Sequence, residues 1–213
     1  MFQADMLDRL VADELQGHFH RVTVGRQIIV LEQTSSTNDA ILQVVTANSR
    51  EGLVLFAEHQ IAGRGQRGNR WESAAGKGLW FSILLRPNIQ IKDSGRLTIW
   101  AIEAVSGVIR TEFSLEPAIK LPNDIQLYGR KVAGVLVEMR AREKAPHVAI
   151  VGIGINVNQS VEDFPPELQN RAISLATALH RPVDRRQFAV AVLQNLDRTY
   201  REKFVTEVTR LDN

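Results

Sequence analysis

The chain of 213 residues contains no cysteine. Disulfides, thiolate metal sites and cysteine nucleophiles are therefore excluded. Its five histidines stand at no spacing that would ligate a metal, so no structural zinc is expected. No apolar run approaches the roughly 20 residues that span a bilayer. The first residues carry acids where a secretory signal would carry an apolar stretch. Neither sign of charge dominates: 26 Lys and Arg against 24 Asp and Glu leave a formal +2, too little to imply a polyanionic partner by itself. Repeats, low-complexity tracts and linkers are also missing. These absences lead to the expectation of a soluble, cytoplasmic protein with one substantial core.

The order of elements is legible from periodicity. Leu7, Leu10, Val11 and Leu15 at helical spacing predict a helix over 5–16, closed by Gly17. A short strand is expected over 27–31. Ser35 and Ser36 then offer an N-cap before the apolar stripe of Ala40, Ile41, Val44 and Val45. Strands are expected over Leu53–Gln60 and 78–86, and a helix over 99–113. A strand beginning at Ala118–Lys120 runs into Pro122, Asn123 and Asp124. Segments 125–127 and 132–139 flank Tyr128, Gly129 and Arg130 as a hairpin. The apolar run 148–157 reads as a central strand buried on both faces. Beyond Pro165 and Pro166, 186–204 reads as a closing helix. The sum is one α+β domain, a mostly antiparallel sheet with helices packed on it.

Between the second and third strands stands GRGQRGNRW, from Gly63 to Trp71. Glycine lets a backbone turn its N–H groups toward an anion, and arginine adds a charge that is permanent at working pH. Such a loop is suited to close over something negatively charged. It matches neither the GxxxxGK(S/T) phosphate loop nor the GxGxxG dinucleotide fingerprint. Arg64, Arg67, Arg70 and Lys77 crowd this loop, and Arg130 and Lys131 form a second basic spot, which suggests a small anionic ligand.

Five motifs occur in one order: SSTND (35–39), EHQIAGRGQRGNRW (58–71), KLPNDI (120–125), GRKVAGVLVE (129–138) and GIGINVN (152–158). Together they resemble the catalytic domain of the biotin–protein ligases. The resemblance covers about residues 27–205. It implies the fold shared with class II aminoacyl-tRNA synthetases, a mostly antiparallel central sheet flanked by helices. It also implies a two-step reaction. Biotin and MgATP first form biotinyl-5′-AMP and pyrophosphate. The adenylate then acylates one lysine of a biotin carboxyl carrier domain. Biotin is substrate, ATP and Mg2+ are co-substrate and metal, and no tightly bound prosthetic group is implied.

The resemblance assigns roles residue by residue. Ser36, Thr37 and Asn38 touch biotin, hydroxyls and free N–H groups at a helix start suiting the ureido oxygen; alone, this triplet reads as an N-cap. Gln60 meets the ureido edge. Arg64, Gly65 and Gln66 contact biotin and the adenylate phosphate, with Gly134 and Gly154 making room for the ligand. Many relatives carry Arg where Gln66 stands, and Gln supplies hydrogen bonds without charge, so adenylate retention is in question; Arg67 is a candidate for compensation. Arg67, Asn69, Trp71, Lys120, Asn123, Asp124 and Asn156 fall on positions at ATP or the adenylate, with Asp124 a candidate magnesium ligand. Pro122, Asn123 and Asp124 alone would read as a turn, and Leu121 replaces the family's Trp. Lys131 and Arg64 are the implied catalytic residues. Carboxylate attack on an α-phosphate brings two anions together, and a fixed cation lowers that barrier. Asp124 is the nearest candidate base for the transfer step.

The implied organisation is a helical extension (1–26), a catalytic domain (27–207) and a tail (208–213). The extension is too short for the winged helix-turn-helix of longer relatives, so DNA binding is not expected. The small SH3-like domain that usually follows in the family is not expected either. No membrane association is implied, and a homodimer is among the assemblies the resemblance allows. Two alternatives stay open: a lipoate or octanoate ligase or transferase on the same fold, and a catalytically weak module that binds biotin or biotinyl-AMP.

Overall fold

The computed structural model describes residues 8–46, 49–141 and 147–205. Among the described residues seven strands form one sheet: β1 (Gln27–Thr34), β2 (Leu53–Gln60), β3 (Gly78–Leu85), β4 (Ala118–Lys120), β5 (Asp124–Leu127), β6 (Arg130–Arg140) and β7 (Val148–Asn156). Their order is β1-β2-β3-β7-β6-β5-β4. Only β1 and β2 pair in parallel, and every other neighbouring pair is antiparallel. A parallel pair needs a crossover, and α2 (Thr37–Val44) supplies it. The other α-helices are α1 (Ala12–Gln16), α3 (Gly95–Phe113), α4 (Leu175–Leu179) and α5 (Arg185–Tyr200).

Strand alternation divides the sheet's two faces. On β2, Val54 and Phe56 join the main core with α3 and α5, while Leu53 and Leu55 face α2 with Ala40 and Ile41. On β7, Ala149, Val151, Ile153 and Ile155 enter the main core, and Val148 and Ile150 pack beneath α2. The even positions then switch from branched residues to Gly152 and Gly154. Where α2 stops covering the sheet, these glycines leave a hollow.

Several elements differ in extent from the periodicity. The first helix begins at Ala12, because Leu10 N–H is drawn to the Glu58 carboxylate (2.8 Å) and Val11 is extended. Residues 5–7 of its expected span lie outside the described residues, as do 206–213. β1 runs on to Thr34, α3 starts at Gly95, and β3 and β7 each stop one residue before their expected ends. The closing helix changes at Arg201–Val205 into a wider π-helical turn. The short helix α4 has no expectation behind it.

Residues 8–25 pack into the same core as the sheet, through Leu10, Leu15, Phe19 and Val24. Polar contacts hold them there. Buried Arg185 at the start of α5 bonds Asp8 (3.0 Å), Glu58 of β2 (2.7 Å) and the Gly78 carbonyl of β3 (3.2 Å). Buried Asp197 of α5 accepts from the N–H groups of Thr23 (2.7 Å) and Val24 (2.9 Å). Among the described residues no helix is long and apolar enough to cross a membrane.

Candidate active site

Two adjoining cavities open over the glycine positions. The smaller, about 420 Å³ including its mouth, is lined by Ser36, Thr37, Asn38, Gln60, Arg64, Gly65, Trp71, Asn123, Lys131, Gly134, Gly152 and Gly154, with Val135, Leu136 and Ile153. The larger, about 1210 Å³ including its mouth, is lined from the glycine loop by Asn69, Arg70, Trp71 and Glu72. The β4–β6 side adds Lys120, Asp124, Gln126, Gly129 and Lys131. Asn156 and the 164–172 loop complete it. Lys131 and Trp71 line both.

Register explains the floor. Trp80, Gly154 and Gly134 lie in one row across β3, β7 and β6, and Ser82, Gly152 and Leu136 in the next. A Cβ on Gly154 would come within 2.5 Å of the Trp71 indole, and one on Gly134 within 2.9 Å of Trp71 and of Lys131 Cε. The indole therefore lies flat on the space these glycines leave, edge-on to Trp80 at 6.0 Å. Its Nε1 is buried and has no hydrogen-bond partner among the described residues.

The polar end of the smaller cavity is the start of α2. Ser36 occupies the N-cap position, but its side chain makes no capping bond, so that buried hydroxyl stays available. Thr37 N–H donates to Gln60 Oε1 (2.8 Å), with Thr37 Oγ1 3.1 Å from the same oxygen, and Gln60 Nε2 donates to Ser73 Oγ (3.1 Å). Asn38 donates to Glu138 (2.6 Å). Ser82 Oγ lies 2.6 Å from Asn38 Oδ1 and 2.8 Å from Thr37 Oγ1.

At the opposite end Lys131 Nζ lies 2.6 Å from Asp124 Oδ1, a close charge contact without hydrogen-bond alignment, and 5.1 Å from the Trp71 ring centroid. The backbone of Lys131 is clamped: its N–H donates to the Arg171 carbonyl (2.8 Å) and its carbonyl accepts from Ile173 N–H (3.0 Å). Asn156, nearly buried, donates weakly to the carbonyls of Lys131 (3.4 Å) and Ile173 (3.3 Å), and so holds this junction as well as bordering the larger cavity. Asn123 Nδ2 donates to the Val135 carbonyl (3.0 Å) and reaches the smaller cavity.

Of the residues singled out in the sequence, Ser36, Thr37, Asn38, Gln60, Gly65, Gly134 and Gly154 meet in the smaller cavity. Asn69, Lys120, Asp124 and Asn156 meet in the larger. Gln66 and Arg67 line neither; they form one turn of the loop, with Arg67 in the left-handed region at φ 57°. Arg64 borders the smaller cavity, but its guanidinium faces Asp39 (2.7 Å) and Glu138 (3.1 Å). Phe164, Leu168, Arg171 and Ala172 had no assigned role, because residues around Pro165 and Pro166 read only as a connection. The buried aromatic Phe164 was the one available signal there.

The sheet order, the helix-start pocket and the lysine between two cavities are accompanied by a match to the model of the biotin/lipoate A/B protein ligase family over residues 30–156. The chain belongs to this family. It is 36% identical over 194 residues to the bifunctional ligase/repressor BirA of Bacillus spizizenii, covering 91% of this chain and 60% of that protein. It is 33% identical over 177 residues to the biotin–(acetyl-CoA-carboxylase) ligase of Mycobacterium tuberculosis, covering 81% of this chain and 63% of that protein. The chain thus spans less than two thirds of either relative. Among solved structures, the biotin protein ligase from Aquifex aeolicus in complex with biotin and ATP superposes with a TM-score of 0.71 at 31% identity, covering 85% of this chain and 75% of that one. The family's fold is the mixed, mainly antiparallel sheet flanked by helices described above.

Proposed function

We propose that this chain activates biotin with ATP to biotinyl-5′-AMP and transfers the biotinyl group to a lysine of a biotin carboxyl carrier domain. The observation that carries this reading is the position of Lys131, whose side chain borders both cavities at their junction. Two substrates seated side by side react at the boundary between them, and that boundary holds a fixed cation.

The smaller cavity suits biotin. Its polar end offers Ser36, Thr37, Asn38 and Gln60 to a cyclic urea, and its middle is a surface of glycine backbone and indole for the apolar ring and chain. A dithiolane ligand has no use for that polar end, which favours biotin over lipoate. The larger cavity suits the nucleotide. Phe164 and Leu168 give the base an apolar wall, and Lys120, Arg70 and Arg171 face the phosphates.

The biotin carboxylate oxygen bonds to the α-phosphorus as the bond to the β-phosphate oxygen breaks and pyrophosphate leaves. Lys131 offsets the repulsion between the two anions and the charge that develops on the phosphoryl oxygens. In the second step an acceptor amine attacks the activated carbonyl and AMP departs. The amine must shed a proton, and Asp124 is the carboxylate beside Lys131 at this junction. Asp124, whose buried Oδ1 has the Lys131 ammonium beside it but no aligned hydrogen bond, is the carboxylate that would hold a magnesium ion here. No cluster of three His, Cys, Asp or Glu that could hold a metal occurs among the described residues. Magnesium would neutralise triphosphate charge. Arg64, held by Asp39 and Glu138, anchors the glycine loop across the biotin end.

Isotope exchange between pyrophosphate and ATP, run with biotin or lipoate, tests the first step, and labelling of a purified carrier domain tests the second. Exchange that needs biotin, followed by transfer, is the expected outcome. Exchange with lipoate alone would replace the reading with lipoate activation. Tight biotin binding without exchange would reduce the chain to a binding module.

A further inference from the structure

Two side chains that line neither cavity stand directly behind the polar end of the smaller one: Ser82 of β3, fully buried, and Glu138 of β6. They decide which way the hydrogen bonds in front of them run. A carboxylate has no hydrogen to give. Asn38 therefore turns its NH2 toward Glu138 (2.6 Å) and its carbonyl oxygen toward Ser82 (2.6 Å). The absence of a side chain at Gly152 permits this seating, since a Cβ there would lie 2.3 Å from Asn38 Oδ1. Ser82 commits its one hydrogen to that carbonyl. Either hydroxyl can donate across the 2.8 Å contact between Ser82 and Thr37; with the Ser82 hydrogen committed, the Thr37 hydrogen goes to this contact, which is shorter than the one to Gln60.

Nothing is then left for the 3.1 Å contact between Thr37 Oγ1 and Gln60 Oε1. Gln60 cannot turn round to help. Its oxygen is fixed by the Thr37 backbone N–H (2.8 Å) and its NH2 faces Ser73 (3.1 Å). Three contacts share two hydroxyl hydrogens. Arg64, 3.1 Å from Glu138, does not alter this count, because a guanidinium only donates.

We propose that Glu138 and Ser82 are specificity-determining positioning residues. By setting the direction of these hydrogen bonds they leave Thr37 Oγ1 and the second acceptor site of Gln60 Oε1 unfilled, to be completed only by a ligand that donates an N–H. The inference rests on the biotin reading: biotin's cyclic urea carries ring N–H donors, and a dithiolane carries none. A buried acceptor left unmatched is costly, so the cluster rejects donor-free ligands instead of merely tolerating them.

The test compares calorimetric binding of biotin with that of the two cyclic carbamate analogues in which one ring N–H or the other is replaced by oxygen. It uses the native chain, Glu138→Gln and Ser82→Ala, with folding checked by circular dichroism. The native chain is expected to prefer biotin over at least one analogue by roughly 50-fold. Glu138→Gln lets the Asn38 amide turn round, and Ser82→Ala returns the Thr37 hydrogen to Gln60. Each is expected to shrink the preference to below roughly 5-fold. Loss of packing alone would weaken all ligands alike and leave the ratio intact. A ratio that persists in either folded variant overturns the inference, as does a native chain that binds biotin without discriminating. If one variant does not fold, the other decides. A native chain that binds no biotin overturns the proposed function and this inference with it.

Discussion

The amide of Asn38 is seated on the bare backbone of Gly152, so closely that a Cβ at 152 would lie 2.3 Å from its Oδ1. Three residues of one strand run, from Ile150 to Gly152 to Gly154, thus carry three different loads on one face: the underside of α2, the Asn38 amide and the Trp71 indole.

Gly152→Ala is expected to push Asn38 from its place. Biotin affinity should fall by roughly 100-fold, while overpacking destabilises the fold by only about 1–3 kcal/mol. Calorimetry and urea unfolding on one preparation separate the two effects. Unchanged biotin affinity would show that Asn38 has no part in ligand binding.

Lys131→Ala removes the cation at the junction of the cavities. Adenylate formation is expected to slow by roughly 10²–10³-fold, with a much smaller change in biotin affinity. Rapid-quench measurement of pyrophosphate release reads this directly. Lys131→Arg should not restore the rate, because Lys131 Nζ is held between Asp124 Oδ1 (2.6 Å) and the Trp71 ring (5.1 Å to its centroid) and a guanidinium is broader than an ammonium.

Arg185 is 2% exposed and bonds Asp8, Glu58 and the Gly78 carbonyl. Arg185→Leu leaves the Glu58 carboxylate buried without its partner, and a loss of about 3–5 kcal/mol is expected. Urea unfolding measures it. A loss below about 1 kcal/mol would mean that water or rearrangement replaces the guanidinium.

Tyr200 is buried beside Glu51, whose Oε2 accepts its hydroxyl hydrogen at 2.8 Å. Burial first, and then the neighbouring carboxylate, push its ionisation far above the ordinary range of a phenol. The unfolded chain gives up this proton near pH 10, and the folded chain keeps it. The stability from this group is whole below about pH 10 and falls by about 1.4 kcal/mol per pH unit above it. Urea midpoints taken upward from pH 9 should fall more steeply for the native chain than for Tyr200→Phe. Parallel curves would assign the decline to other groups.

Much of this architecture could be read from local pattern. The span of β2 was legible because the apolar run Leu53–Ala57 continues through Glu58, His59 and Gln60 up to the start of the glycine loop. Gly134 and Gly154 signalled room for a ligand in the sequence alone. The motif order brought Ser36, Gln60 and Lys131 to one place. Two things stayed hidden for a physical reason. Glu138 meets Asn38 across 100 positions of sequence. Ser82 stands out only as the one polar residue of an otherwise apolar strand, and no periodicity encodes which residue it meets. The 164–172 wall was hidden because its prolines mark a break in regular structure and say nothing of what the loop faces.

The alternation along β7 has one more consequence. Core and site are written in the same nine residues, interleaved, so they share a single reading frame in space. Slipping the strand by one position would place Ile153 and Ile155 beneath Asn38 and Trp71 and put both glycines into the oily side of the sheet. An insertion or deletion there cannot harm one without the other. Substitution is the only route of change left to this strand, and at its glycines even that route is narrow.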